Sequence, residues 1–150
     1  MPLSGSFQQE YDLCLQQAED MGDKIYTSPF NIVDAQLEHT MRWLPSIRHA
    51  LHITSFDDEM CNAIQAKYMI RALPKLGANR HFPRTVLYGP MKYGGGGLEH
   101  VKYDQIALQL SQFTAHMRQE DEVGKMIHIN MQLLQIHLGS PTPFYRLDPS

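Results

Sequence analysis

Apolar residues recur at helical spacing along most of this chain, and the recurrence breaks at a few defined places. Phe7, Tyr11, Cys14, Ala18, Met21 and Ile25 follow one another at three- and four-residue steps with Gln, Glu and Asp between them, which predicts a first helix with Ser6 as its N-cap and Gly22 weakening its far end. "YTSPFN" (26–31) interrupts it, because Pro29 disfavours the helical region at Ser28. Asn31 then caps a second helix to about Ile53, with Val33, Leu37, Met41, Leu44, Ile47 and Leu51 as its inner face and Pro45 as a kink or division. A third helix opens with Thr54 or Ser55 as cap and Asp57, Asp58 and Glu59 in its first turn, where acids suit the dipole. Met60, Ile64, Tyr68 and Ala72 form its buried stripe, and Pro74 and Gly77 end it.

Residues 74–97, "PKLGANRHFPRTVLYGPMKYGGGG", hold three prolines and six glycines and read as an irregular connection, with "TVLY" (85–88) as a short strand lacking an obvious partner. From Leu98 to about Met117 the pattern Tyr103, Ile106, Leu110, Phe113, Met117 predicts a fourth helix. After a charged turn at 118–124 comes a last segment, about 124–138, whose Ile127, Ile129, Met131 and Leu133 also alternate; its length and its Met, Gln and Leu content favour helix over strand. Gly139 ends it. The expected fold is mainly α, a bundle of about five helices with a long Gly/Pro-rich basic loop, as one domain over 1–139 followed by a tail over 140–150.

Charge changes this picture more than composition does. The chain carries net −3, but residues 1–59 hold ten acids against three bases, residues 60–92 hold six bases and no acid, and 93–150 hold six acids and four bases. The six bases, Lys67, Arg71, Lys75, Arg80, Arg84 and Lys92, are either a solvated surface or an electrostatic footprint for phosphate. Tyr88 and Tyr93 lie among them and could stack on bases or sugars, or pack the loop down. With 43% hydrophobic residues and no long apolar run, the chain reads as globular and not membrane-spanning. The N-terminus lacks the basic and apolar regions of a secretory signal, and Cys14 and Cys61 fall in predicted helices as reduced, buried thiols, so a cytoplasmic or nuclear setting is expected.

Candidate chemistry is sparse. "GGGGLEHV" supplies Leu, Glu and His where a phosphate-binding loop needs Lys and Ser/Thr, and no strand–helix alternation frames it as a dinucleotide site. Gly97 before a helix start could still offer free N–H groups to one phosphate; the alternative is a tight joint. "SFDD" (55–58) has the paired aspartates of a polymerase metal site but the setting of a helix N-terminus. Eight histidines without paired ligand spacings or HExxH give no metal site, and no nucleophile motif stands out, so neither catalysis nor a cofactor is expected.

The stretch "TSFDDEMCNAIQAKYMIRALPKLGANRHFPRTVLYGPMKYGGGGLEH" (54–100) resembles reverse-transcriptase-like proteins of non-LTR retroelements. The resemblance rests on Thr54–Phe56, Cys61, Ile64–Gln65, Ala72–Gly77, Asn79–Arg80, Pro83–Arg84, Val86, Tyr88–Pro90, Gly94–Gly95, Gly97–Leu98 and "HMRQEDEVGK" (116–125), with "SPF" (28–30) and "LPSI" (44–47) also similar, so it covers nearly the whole chain. It implies the thumb and the segment after it, C-terminal to the polymerase palm, whose fingers and catalytic aspartates these 150 residues do not contain. On that basis the chain is not itself an enzyme; it grips the backbone of an RNA–DNA or DNA duplex through the six basic residues. Departures are the fourth glycine, Gly96, and Met1 where a palm would lie upstream, which leave open a relic, a shortened chain or a recruited fragment. The other reading is a structural subunit that docks on a protein through the Met-rich apolar segment 126–138 (Met126, Ile127, Met131, Leu134, Leu138), without nucleic acid.

Overall fold

A computed structural model describes residues 4–119 and 121–143, the side chains of residues 4–6 excepted. The fold is a mainly helical bundle with no strand among the described residues. Helix α1 is Ser4–Thr27, α2 Ile32–Glu38, α3 Leu44–Ile53, α4 Asp58–Ala72, α5 the single turn Arg84–Leu87, α6 Val101–Gln119 and α7 Glu122–Leu138. The chain divides into two compact units, 1–108 and 109–150, within α6, where the periodicity alone reads as one domain over 1–139. Ser6 lies inside α1 and so does not cap it. The expected tail, 140–150, falls outside the described residues beyond 143. No helix among the described residues is long and apolar enough to cross a membrane.

The first unit is organised by α1 against α4. Glu19 pairs with Lys67, Asp23 with Arg71, and the Ser28 carbonyl with Lys75, so partner numbers rise together and the two helices run parallel. They approach closely because the contacting side of α1 carries Cys14, Ala18 and Gly22; a Cβ on Gly22 would lie 3.3 Å from Arg71 Cβ and 3.4 Å from the Tyr68 carbonyl. Both cysteines are free and buried, and burial pushes each thiol up to about 11, leaving it protonated and unreactive at neutral pH.

The second predicted helix is real but its inner face is different. Asn31 caps it through a capping box, its Oδ1 accepting from the Asp34 N–H at 3.0 Å. Val33, Leu37 and Met41, expected inside, are 52–69% exposed. The buried line runs instead through Ala35, His39 and Trp43, then Leu44, Ile47 and Leu51. The cause is Pro45, which lacks an N–H and would clash with the Met41 carbonyl in a regular helix. A five-residue π turn, His39–Trp43, closed by the Leu44 N–H on the His39 carbonyl, widens the helix just before it and rotates the apolar side by one position. At α4 the cap is Asp57, which accepts from the Met60 N–H at 2.8 Å, in place of Thr54 or Ser55.

Trp43 and Tyr68 stack at 4.4 Å between centroids with an interplanar angle of 5°, and His39 leans on Tyr68 at 5.4 Å. All three are fully buried, while His39 Nδ1, Trp43 Nε1 and the Tyr68 hydroxyl have no hydrogen-bond partner among the described residues. Each unmet group costs about 1–3 kcal/mol, offset by the apolar area of three rings. Burial drives His39 down to about 4. Because the folded value is depressed, the unfolded chain takes up a proton below about 6.5 that the native state refuses until about pH 4. Stability should therefore be full above pH 6.5 and fall by about 3 kcal/mol on going down to pH 4. Urea midpoints measured across that range should show this loss, and His39→Leu should flatten most of it.

Candidate functional site

The segment between α4 and α6 holds Arg80, Arg84, Lys92, Tyr88 and Tyr93, and two buried glutamines tie the elements around it together. Gln65 on α4 donates from Nε2 to the Tyr88 hydroxyl at 3.2 Å and accepts the Val101 N–H at 3.4 Å, joining α4, the loop and the start of α6. Gln105 on α6 exchanges both its amide groups with the Phe56 backbone, at 3.3 and 3.0 Å, and so satisfies the turn before α4. Arg48 adds a two-pronged ion pair to Asp104, at 3.0 and 3.1 Å, and reaches Glu99 at 3.1 Å. These polar anchors explain why α6 begins at Val101 and buries Val101 and Gln105, whereas Tyr103, Ile106 and Leu110 of the expected stripe are 49–67% exposed.

The glycine run is a joint. Its N–H groups donate in turn from Gly94 to Met91, Gly95 to Pro90, Gly96 to Val86, Gly97 to Gly89 and Leu98 to Leu87. None is left for a phosphate, and the helix start is three residues beyond Leu98, so the idea of an anion site at Gly97 is withdrawn. "TVLY" is a helical turn rather than a strand, because these same donors cap the carbonyls of Val86 and Leu87 locally. Gly94 and Gly97 take left-handed φ values of +81° and +64°. A Cβ on Gly96 would sit 2.6 Å from the Leu87 carbonyl, and one on Gly95 would strike the Gly89 carbonyl.

The six basic residues separate into two groups. Lys67 is held by Glu19 at 2.7 Å, Arg71 by Glu19 and Asp23, and Lys75 donates to the Ser28 carbonyl at 2.6 Å. The acids of α1 thus offset the basic face of α4. Arg80, Arg84 and Lys92 are exposed and have no ion pair among the described residues. Tyr88 is half-buried and packs the loop down, as its bond to Gln65 requires. Tyr93 is 79% exposed, with the Lys92 ammonium 5.5 Å from its ring centroid.

Arg84 stands at an open cleft of about 600 Å³ lined by Asn62, Gln65, Met69, Tyr88, His100 and Tyr103, among others. Tyr88 meets His100 edge-to-face at 4.9 Å and His100 meets Tyr103 at 5.9 Å. His100 Nδ1 accepts the Lys102 N–H at 3.2 Å, and burial, with the Lys102 charge, lowers its affinity for a proton, so the ring is neutral with Nε2–H as its donor. Lys102 is itself paired with Asp58. Sequence reasoning missed His100, Tyr103, Gln65 and Asn62. The signals were a histidine and a tyrosine three residues apart shortly after the glycines, and Gln65 within the stretch that carries the resemblance. Among the described residues no three His, Cys, Asp or Glu side chains gather as a metal site.

No protein-family model matches this chain, and no curated protein or solved structure is significantly similar to it.

Gly96→Ala should force the two backbone segments apart and cost on the order of 1–3 kcal/mol. Hydrogen exchange should report it as lost protection of the N–H groups at 94–98. Unchanged protection would mean that the loop is not held by this crossing.

Proposed function

We propose that this chain is a non-catalytic, thumb-like helical fragment that binds the backbone of nucleic acid, in keeping with the resemblance of residues 54–100 to retroelement reverse-transcriptase-like proteins. One observation carries the reading: Arg80, Arg84 and Lys92 are exposed and uncompensated on the single segment that also presents Tyr93 and the aromatic cleft. Phosphate supplies the charge these cations lack, while Lys67, Arg71 and Lys75 already have their partners and contribute less. With three working cations in place of six, affinity is modest and its dependence on salt shallow. The log–log slope on duplex DNA should be about −3, so that raising salt from about 50 to about 200 mM weakens binding about 40-fold. Fluorescence-anisotropy titrations on duplex DNA, an RNA–DNA hybrid and single strands test this. Arg80→Ala/Arg84→Ala/Lys92→Ala should remove the salt-sensitive binding and Lys67→Ala should leave most of it. No binding at low salt, or binding indifferent to the triple substitution, rejects the reading.

A second reading has its own observation. On α7, Met126, Ile129, Leu133 and Ile136 form a stripe 57–76% exposed, with Val123, Leu134 and Leu138 beside it and no charged residue from 126 to 138. Large apolar side chains exposed together along one helix face are the mark of an interaction surface. An uncharged face meets its own copy without repulsion, so the partner of this reading is a second copy of the chain. Analytical ultracentrifugation should find a dimer that Leu133→Glu/Ile136→Glu returns to monomer, at unchanged salt dependence. A wild-type monomer at high concentration rejects it.

A further inference from the structure

We infer that the cleft beside Arg84 holds one unstacked nucleotide of a single strand, with its base against Tyr103 and its phosphate on Arg84. The inference rests on the nucleic-acid reading above and assigns a ligand to that site. The walls are suited to a flat, uncharged π-system: the exposed ring of Tyr103 stands next to His100, and His100 next to Tyr88, in consecutive edge-to-face contacts. Tyr88 is tied back to Gln65, so it forms the fixed rear of the cleft, while Tyr103, 67% exposed, is the ring available to an incoming base. The apolar floor comes from Met69 and Ala66. Polar edges of a base find Asn62, Thr85 and the His100 Nε2–H, which are uncharged donors and acceptors rather than ions.

Charge narrows the class of ligand. Of the two cations lining the cleft, Lys102 is neutralised by Asp58 and only Arg84 lacks an acid, so the site wants a single anionic group next to a ring. A volume of about 600 Å³ lies within the range of sites that take small organic ligands and exceeds what one base needs. A duplex keeps its bases paired and stacked, so it offers this cleft only phosphate. A single strand offers both parts, and stacking on an aromatic side chain is the usual means of holding it.

The test is an anisotropy titration of the full chain with a short single-stranded oligonucleotide and with a blunt duplex, on wild type, Tyr103→Ala, Tyr103→Phe, Arg84→Gln and Tyr26→Ala. Tyr26, 57% exposed on α1 and not part of the cleft lining, serves as the control. Tyr103→Ala should weaken single-strand binding about tenfold and leave duplex binding unchanged, Tyr103→Phe should restore it, and Arg84→Gln should weaken both. If Tyr103→Ala behaves like Tyr26→Ala, or weakens both substrates equally, the cleft does not hold a base, and the backbone-binding reading survives on the duplex result. If wild type binds neither substrate at low salt, that reading fails and the inference with it. A nucleoside 5′-monophosphate that binds as tightly as the strand, with the same dependence on Tyr103, overturns the assignment to a strand in favour of a free nucleotide.

Discussion

The parallel contact of α1 with α4 is the constraint from which the rest of the first unit follows. It needs small residues at the crossing, and Cys14, Ala18 and Gly22 supply them. It also brings acids of one helix onto bases of the other, through Glu19, Asp23, Lys67 and Arg71. Each such exposed pair is worth little in stability, of the order of 0–1 kcal/mol. Their larger effect is on the field outside the protein, because they offset the basic face of α4 and leave Arg80, Arg84 and Lys92 as the unpaired cations of residues 60–92. A packing contact thus decides where the bases of residues 60–92 stay unpaired, which is on the connecting segment at Arg80, Arg84 and Lys92 rather than on α4.

That result explains which parts of the molecule were legible in its sequence. Helix positions and breaks were, since the apolar spacing and the cap at Asn31 are local, although the cap of α4 is Asp57 rather than Thr54 or Ser55. Helix faces were not, wherever a non-apolar group was buried or the helix was irregular. The π turn before Pro45 rotates the face of the second helix, so Val33, Leu37 and Met41 are exposed while His39 is buried. On α6, Gln105 takes an inward position because its amide completes the Phe56 backbone, and Tyr103 is left outward. The sum of charges over residues 60–92 was correct as a number but not as a surface, because Lys67 and Arg71 are matched by acids 48 positions earlier in the chain and Lys75 is tied to the Ser28 carbonyl. No one-dimensional window contains such pairs.

The glycines show the same limit from the other side. Four in a row read equally well as a phosphate cradle or a hinge, and what separates the two is where the N–H groups point. Here every one from Gly94 to Leu98 is spent on carbonyls between Val86 and Met91. The segment is therefore neither a cradle nor slack. It is a compact crossing in which Gly95 and Gly96 permit backbone to touch backbone, and it fixes the position of Tyr88 and His100 on the two strands of chain that it joins.

This rigidity bears on what the cleft can do. Its rear wall is held by Gln65 to α4 and to the first N–H of α6, and its rim residue Arg84 begins the turn capped by the glycine segment. A site built this way is ordered in advance, which lowers the cost that immobilising loops and side chains imposes on binding. The buried Gln65 is expensive as a polar group in a core, and an apolar residue of its size would serve packing as well. What an apolar residue could not do is satisfy Tyr88 and Val101 at once. The polar hub is therefore best understood as the element that keeps the cleft open in one shape, and the stability it costs is offset by the helices it joins.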